Sequence, residues 1–452
     1  MSPTGSTQGS TQGEILEGWS LTDAEGYLGP QSPVAGVYGE PRTIPGAAEP
    51  TQTALGFSDA DLGRHILFLG GIGTGKTVGM QSLVASMRQA ARPDDVFVFF
   101  DTKGDFHNAF YREGDATICV GNQSAFAGSQ LWNLFAELRD LPKDELTDEV
   151  NEIAATLFES VAASAGDNNR FWSNMGQELF AGLLLTMARW ERRSEESYSN
   201  LDLRAIADTW DLDRIRRVLA KFEDLRGTQQ YIARDDSNTT NSVLIFLQQM
   251  LRQTFSSTFA QRGDFSVRRF IRSKGARALF LEYDVAHGAT LTPIFRTLVD
   301  LVLKESLSRN RAPGRVFVIL DEFALLPQLR HIDGGLNFGR SLGLRFVVGT
   351  QNTGQILDAY GPGLGNSILS AFGTVFSFRL FDHASRDYVR DRFGTNRRLI
   401  RYDAAVRSRG IGEQLVDGSV VEDWDLTGLQ VGHCIAALPD RPPVRFHFKN
   451  PH

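Results

Sequence analysis

The chain has 452 residues, 42% of them apolar and 22% charged, which is the composition of an ordinary globular protein with core enough for two or three domains. A formal charge of −7 excludes a protein that wraps polyanion over its whole surface, and leaves room for local basic patches. Cys119 and Cys434 are the only cysteines; they form no metal-ligand spacing and fit a reduced, cytoplasmic setting. No run reaches the roughly 18 apolar residues of a membrane span.

Residues 1 to about 53 are rich in Gly, Ser, Thr, Pro and Glu and open with a tandem GSTQ unit. They predict a flexible polar arm, on which Trp19, Tyr27 and Leu28 are candidate anchors to a body. The arm has no basic segment followed by an apolar one, so no signal peptide is expected. Ile66–Leu69 then reads as a buried strand ending in glycines. After it, Val78, Met80, Leu83, Val84 and Met87 recur at helical spacing. Val96–Phe100 is a second apolar strand, ending in Asp101. This alternation predicts an α/β core with a mainly parallel sheet.

From 145 to 262 strand-like runs vanish and helical periodicity dominates. In Phe171–Trp190 the residues Phe171, Met175, Leu179 and Leu183 are expected to share one face. Strands return at Ala278–Tyr283, Val316–Leu320, Leu344–Val348 and Thr374–Leu380, and a last pair falls at His433–Leu438 and Val444–Phe448. The predicted organisation is therefore a nucleotide-binding α/β domain in two parts, 54–144 and 263–452, interrupted by an all-α domain at 145–262.

Gly70-Gly71-Ile72-Gly73-Thr74-Gly75-Lys76-Thr77 fits GxxxxGK(S/T) in full. Glycines let backbone N–H groups turn inward around phosphate oxygens, and the following helix adds its positive end. Residues Gly70 to Val78 are the expected nucleotide cradle. Lys76 reaches the β- and γ-phosphates and Thr77 ligates Mg²⁺ in such a loop. The cofactors expected are ATP and Mg²⁺. Val316–Leu320 delivers Asp321 and Glu322 at a strand end. Paired with the phosphate loop, Asp321 reads as the second metal-shell residue and Glu322 as the base that activates water.

Several further stretches carry a resemblance: DTKGDF at 101–106, FW at 171–172, LDEFALL at 320–326, GTQN at 349–352, Tyr360-Gly361, and WDLTGLQVGHCIAALPDRPPVRF near the end. In this order and spacing the chain resembles the type IV secretion coupling proteins, the TraG/TraD-like conjugation ATPases of the FtsK/HerA motor superfamily, over about residues 55 to 450. The resemblance implies a RecA-like P-loop domain that assembles as a hexameric ring with nucleotide between subunits. It selects Arg340, in GRSLG, as the arginine given to a neighbour's γ-phosphate, with Arg345 as the competing choice, and Gln351 as the γ-phosphate sensor. It gives Asp101 and Lys103 weaker parts: Asp101 either tunes the site from a strand end or caps a turn. It implies a motor that moves single- or double-stranded DNA, and a secretion-channel or relaxosome-like protein partner. Members of the family usually carry N-terminal membrane helices. This sequence shows none, so it is expected to meet the membrane only through a partner.

Two arginine-dense stretches, Arg262–Arg277 and Arg386–Arg409, are candidate phosphate contacts or solvated and interface charge. Two other readings use the same residues differently. One is a docking adaptor whose helical domain receives protein substrate while nucleotide sets the assembly state. The other is a DNA-processing or defence ATPase working with a separate nuclease.

Overall fold

A computed structural model describes residues 14–41, 50–121, 123–164, 167–232, 238–403 and 411–449. The chain forms two compact units, Met1–Ala90 with Val347–His452, and Ala91–Phe346. It passes between them after Ala90 and within the strand Leu344–Thr350.

The first unit is built on the fully buried strand Ile66–Leu69. Thr374–Ser377 pairs parallel with it on one side and the end of Leu344–Thr350 on the other. The sheet continues antiparallel from Thr374–Ser377 through His433–Ala437 to Val444–His447. Phe68, Phe376, Phe378 and Phe448 pack together beside it, with Phe68 and Phe376 stacked at 4.8 Å. Burying a phenylalanine contributes roughly 1.5–3 kcal/mol, so this cluster is a main reason the sheet holds.

The span expected as a flexible arm is structured where it is described. Glu14–Glu17, Thr22–Asp23, Tyr27–Leu28 and Ala35–Tyr38 are strands. Thr22–Asp23 pairs with Val444 and Arg445, and Ala35–Tyr38 with Ala54–Phe57. Glu14–Glu17 joins an antiparallel hairpin of Thr395–Asp403 and Ile411–Ser419, two strands that local pattern did not reveal. Trp19 is 43% exposed, and its backbone carbonyl accepts from Asn396 Nδ2 at 2.8 Å. The GSTQ repeat lies outside the described residues.

In the second unit Val316–Leu320, Val96–Asp101, Arg277–Glu282 and Ala116–Cys119 lie side by side in that order, all parallel. The register places phenylalanines next to one another: Phe97 stacks on Phe317 and Phe99 on Phe280, each at 4.7 Å. The strands being parallel, their C-terminal ends line one edge, where open α/β sheets bind ligands.

Between Cys119 and Arg277 the described elements are helices. The long pair Leu146–Ser164 and Asp167–Glu191 packs with Asn238–Thr254. The buried stripe of Asp167–Glu191 is not the expected one. Leu179 and Leu183 are buried, but Phe171 is 60% exposed and Met175 only half-buried. The stripe runs instead through Ser173, Gly176 and Phe180. A Cβ on Gly176 would come within 3.2 Å of the Phe158 ring, so small residues there let the helices close up.

Candidate nucleotide site

The glycine loop hangs between the end of Ile66–Leu69 and the helix Lys76–Gln89. Gly73 and Gly75 take φ of 73° and 98°, left-handed values that cost a side chain dearly. Both ends of the loop are pinned. Gly70 N–H donates to the Thr350 carbonyl at 3.2 Å and Gly71 N–H to Arg379 at 3.1 Å. Thr74 Oγ1 donates to the Gly71 carbonyl at 2.8 Å, and the Thr74 carbonyl accepts from Gly432 N–H at 3.0 Å. A Cβ on Gly75 would stand 2.8 Å from Gly432 N, and one on Gly71 2.5 Å from the Phe381 ring. Gly75, facing backbone at a left-handed φ, is thus required before any phosphate arrives. Lys76 and Thr74 are buried, Thr77 and Val78 are half-buried, and the loop's tip is open, with Ile72 81% exposed.

Gln351 follows directly on the strand whose last residue, Thr350, receives Gly70 N–H. The amide candidate and the start of the loop are therefore joined by one backbone hydrogen bond within the first unit. The next helix, Thr353–Ser370, is capped by the Asn352 side chain, which accepts from Gln355 N–H at 2.9 Å. Gly361, in the Tyr360-Gly361 pair, breaks that helix at φ 76°.

The second unit carries the acidic residues. Asp321 ends Val316–Leu320, is 4% exposed, and its N–H donates to the Phe100 carbonyl at 3.2 Å. Its Oδ2 accepts from Thr102 Oγ1 at 3.1 Å. Thr102 was not singled out by sequence, although it lies inside DTKGDF. Glu322 is half-buried at the start of the 3₁₀ turn Phe323–Leu325. Asp101 turns out to cap a turn. Its Oδ1 accepts from Lys103 and Gly104 N–H at 3.2 and 3.0 Å, and its Oδ2 from Phe106 and His107 at 2.7 and 3.0 Å. Lys103 is exposed. Glu282, the register partner of Asp101, is buried, and burial followed by the Asp101 charge pushes its carboxyl up to about 9.

The two arginine candidates differ sharply. Arg340 is exposed on the 3₁₀ turn Gly339–Leu342. Arg345 is buried, and its Nη1 donates to the carbonyls of Arg340 and Leu344, both at 2.9 Å. The stretch Arg262–Arg277 is largely consumed internally. Arg268 pairs with Glu149, Arg272 holds Glu305 through Nε at 2.7 Å and Nη2 at 2.9 Å, and Lys274 Nζ donates to the Arg315 carbonyl. In the second stretch Arg386 and Arg390 both reach Asp423; Arg407 and Arg409 lie outside the described residues.

A buried strand, a glycine loop with left-handed turns and a helix opening on lysine and threonine define a P-loop nucleotide-binding protein of the RecA-like α/β class. Over residues 52–414 the chain matches the model of the type IV secretion-system coupling protein DNA-binding domain. It belongs to that family of type IV secretion coupling proteins. No curated protein matches it in sequence. Among solved structures it is similar to the unbound monoclinic form of the bacterial conjugative coupling protein TrwBdeltaN70, at 21% identity and a TM-score of 0.68, covering 87% of this chain and 86% of that one. The plasmid coupling protein TrwB in complex with ADP and Mg²⁺ gives 22% identity and 0.67, over 87% and 86%. VirB4 of Thermoanaerobacter pseudethanolicus gives 12% identity and 0.53, over 94% and 98%. No described helix is long and apolar enough to cross a membrane.

Proposed function

We propose that the chain is a Mg²⁺-dependent ATPase that assembles as a ring, hexameric when active, and moves DNA or nucleoprotein toward a type IV secretion or conjugation apparatus, meeting the membrane through a protein partner. The observation that carries this reading is the pinned glycine loop, with Lys76 buried at its helix, in a chain of the coupling-protein family.

The loop's backbone N–H groups and Lys76 bind the phosphates and fix their orientation, while Asp321 and the Thr77 hydroxyl are the oxygen donors for metal. Among the described residues no three His, Cys, Asp or Glu side chains gather as a metal cage. A nucleotide-bound Mg²⁺ needs none, since it takes one or two protein oxygens beside the phosphates, and a threonine hydroxyl and an aspartate carboxylate are donors of the kind it takes. When bound, the ion neutralises charge on the β- and γ-phosphate oxygens. Glu322 accepts the proton of the attacking water. Arg340, exposed on its turn, serves a neighbouring subunit's γ-phosphate, and Gln351 senses its loss. The strand end that carries Gln351 also holds Gly70, which supports the coupling of nucleotide state to the loop.

Steady-state ATP hydrolysis, alone and with single- or double-stranded DNA, tests this reading. Stimulated turnover that rises steeply with protein concentration and is lost in Lys76→Ala and Glu322→Gln is expected. Turnover in Glu322→Gln equal to wild type overturns the role assignments.

A further inference from the structure

The turn after Val96–Asp101 is tied down at one point and reaches out at another. Asp101, with no exposed surface, spends both carboxylate oxygens on four backbone N–H groups, those of Lys103, Gly104, Phe106 and His107. Each such charge-assisted bond is stronger than a neutral one, so the turn 102–107 has one shape. That shape presents Thr102 to the end of the neighbouring strand, where its Oγ1 donates to Asp321 Oδ2 at 3.1 Å. The strand itself is held in register, Phe100 opposite Leu320, and Asp321 N–H returns to the Phe100 carbonyl. The Asp321 backbone is thus fixed, and the Thr102 hydroxyl bears on its carboxylate torsion, which is broad and roughly two-fold in an aspartate.

We propose that Thr102 is a positioning residue that locks the Asp321 carboxylate in the plane needed to hold the nucleotide's divalent cation, with the Asp101 turn as its mount. This inference rests on the reading of Asp321 as a metal-shell ligand. Ligating carboxylates are commonly oriented by an outer hydrogen bond, and loss of such a partner costs about 10–100-fold in metal affinity. Thr102→Val keeps the side-chain shape and removes the donor, while Thr102→Ser keeps the donor.

The test is Mn²⁺ binding, read by electron paramagnetic resonance, to the full chain saturated with a non-hydrolysable ATP analogue. Metal-free analogue affinity and Tm are measured in parallel. Thr102→Val should bind Mn²⁺ about 10-fold or more weakly and change its spectrum, with metal-free affinity and Tm unchanged. Thr102→Ser should return both to wild type. A serine variant as weak as the valine one overturns the proposal, as does a valine variant that binds Mn²⁺ like wild type while Asp321→Asn binds it weakly. If Asp321→Asn also binds Mn²⁺ like wild type, the metal reading of Asp321 falls, and the inference with it.

Discussion

Arg345 donates from Nη1 to the backbone carbonyl of Arg340, 2.9 Å away. One arginine of the pair is spent on building the turn, and the other is displayed by it. Arg340→Ala should therefore leave Tm unchanged and lower ATP turnover by about 10³-fold or more, the scale of a lost arginine finger. Arg345→Ala should lower stability by about 1–3 kcal/mol, since it removes the two hydrogen bonds of a buried guanidinium to the Arg340 and Leu344 carbonyls. Mixing Arg340→Ala with Lys76→Ala subunits checks that the arginine acts in trans. Mixed rings should recover turnover that neither variant shows alone.

The loop glycines make a second, sharper case. Gly75 combines a φ of 98° with a neighbour 2.8 Å from where a Cβ would stand. Gly75→Ala should cost about 1–3 kcal/mol of strain and abolish binding of a fluorescent ATP analogue. Gly363, whose Cβ would meet nothing within 4 Å, should accept alanine with binding intact. Titration of both variants with the same analogue checks the contrast.

Glu282 gives the protein a pH-dependent weakness. Its carboxyl is raised from 4.5 to about 9 by burial first and by Asp101 second, and its ionisation would also face Cys119, whose thiol burial already pushes up. Below pH 4.5 the group is protonated folded and unfolded, so it carries no penalty. Between 4.5 and 9 the unfolded chain holds fewer protons than the folded one, and stability falls with rising pH by up to about 1.4 kcal/mol per unit. Glu282→Gln removes this term. Its Tm advantage over wild type should widen from pH 5 to pH 9 in a calorimetric series.

The arginines of Arg262–Arg277 that are paired internally are expected to serve stability rather than DNA binding. Arg272 grips Glu305 with both nitrogens. Arg272→Ala should lower stability by about 1–3 kcal/mol, the scale of a lost charged hydrogen bond. It should leave the salt dependence of DNA binding unchanged, because no counterion-releasing phosphate contact is removed. Fluorescence anisotropy at several salt concentrations reads the slope.

Much of this was legible because it is local. The phosphate loop announces itself in eight consecutive residues, and the apolar strands Ile66–Leu69, Val96–Phe100 and Val316–Leu320 are buried on both faces, so their sequence is continuous hydrophobic text. The helical interruption showed in the loss of such runs. What stayed hidden depends on remote partners. Thr22–Asp23 is a strand only because Val444 and Arg445 offer it an edge, and Thr395–Asp403 is polar and charged along most of its length. The Phe171 face was misread because glycine and serine, not large apolar residues, mark a close helix contact. The internal partners of Arg268 and Arg272 are not legible because these acids, Glu149 and Glu305, are far away in sequence. Thr102 was overlooked because its partner lies 219 residues on.

Translocation itself is the sharpest test of a DNA motor: displacement of a third strand from a DNA triplex by the purified protein with Mg²⁺ and ATP, on single- and double-stranded approaches. Displacement should require hydrolysis, fail in Lys76→Ala and Glu322→Gln, and run on at least one approach. Brisk, DNA-stimulated hydrolysis with no strand displaced from either approach would contradict the motor, and leave a nucleotide switch in its place.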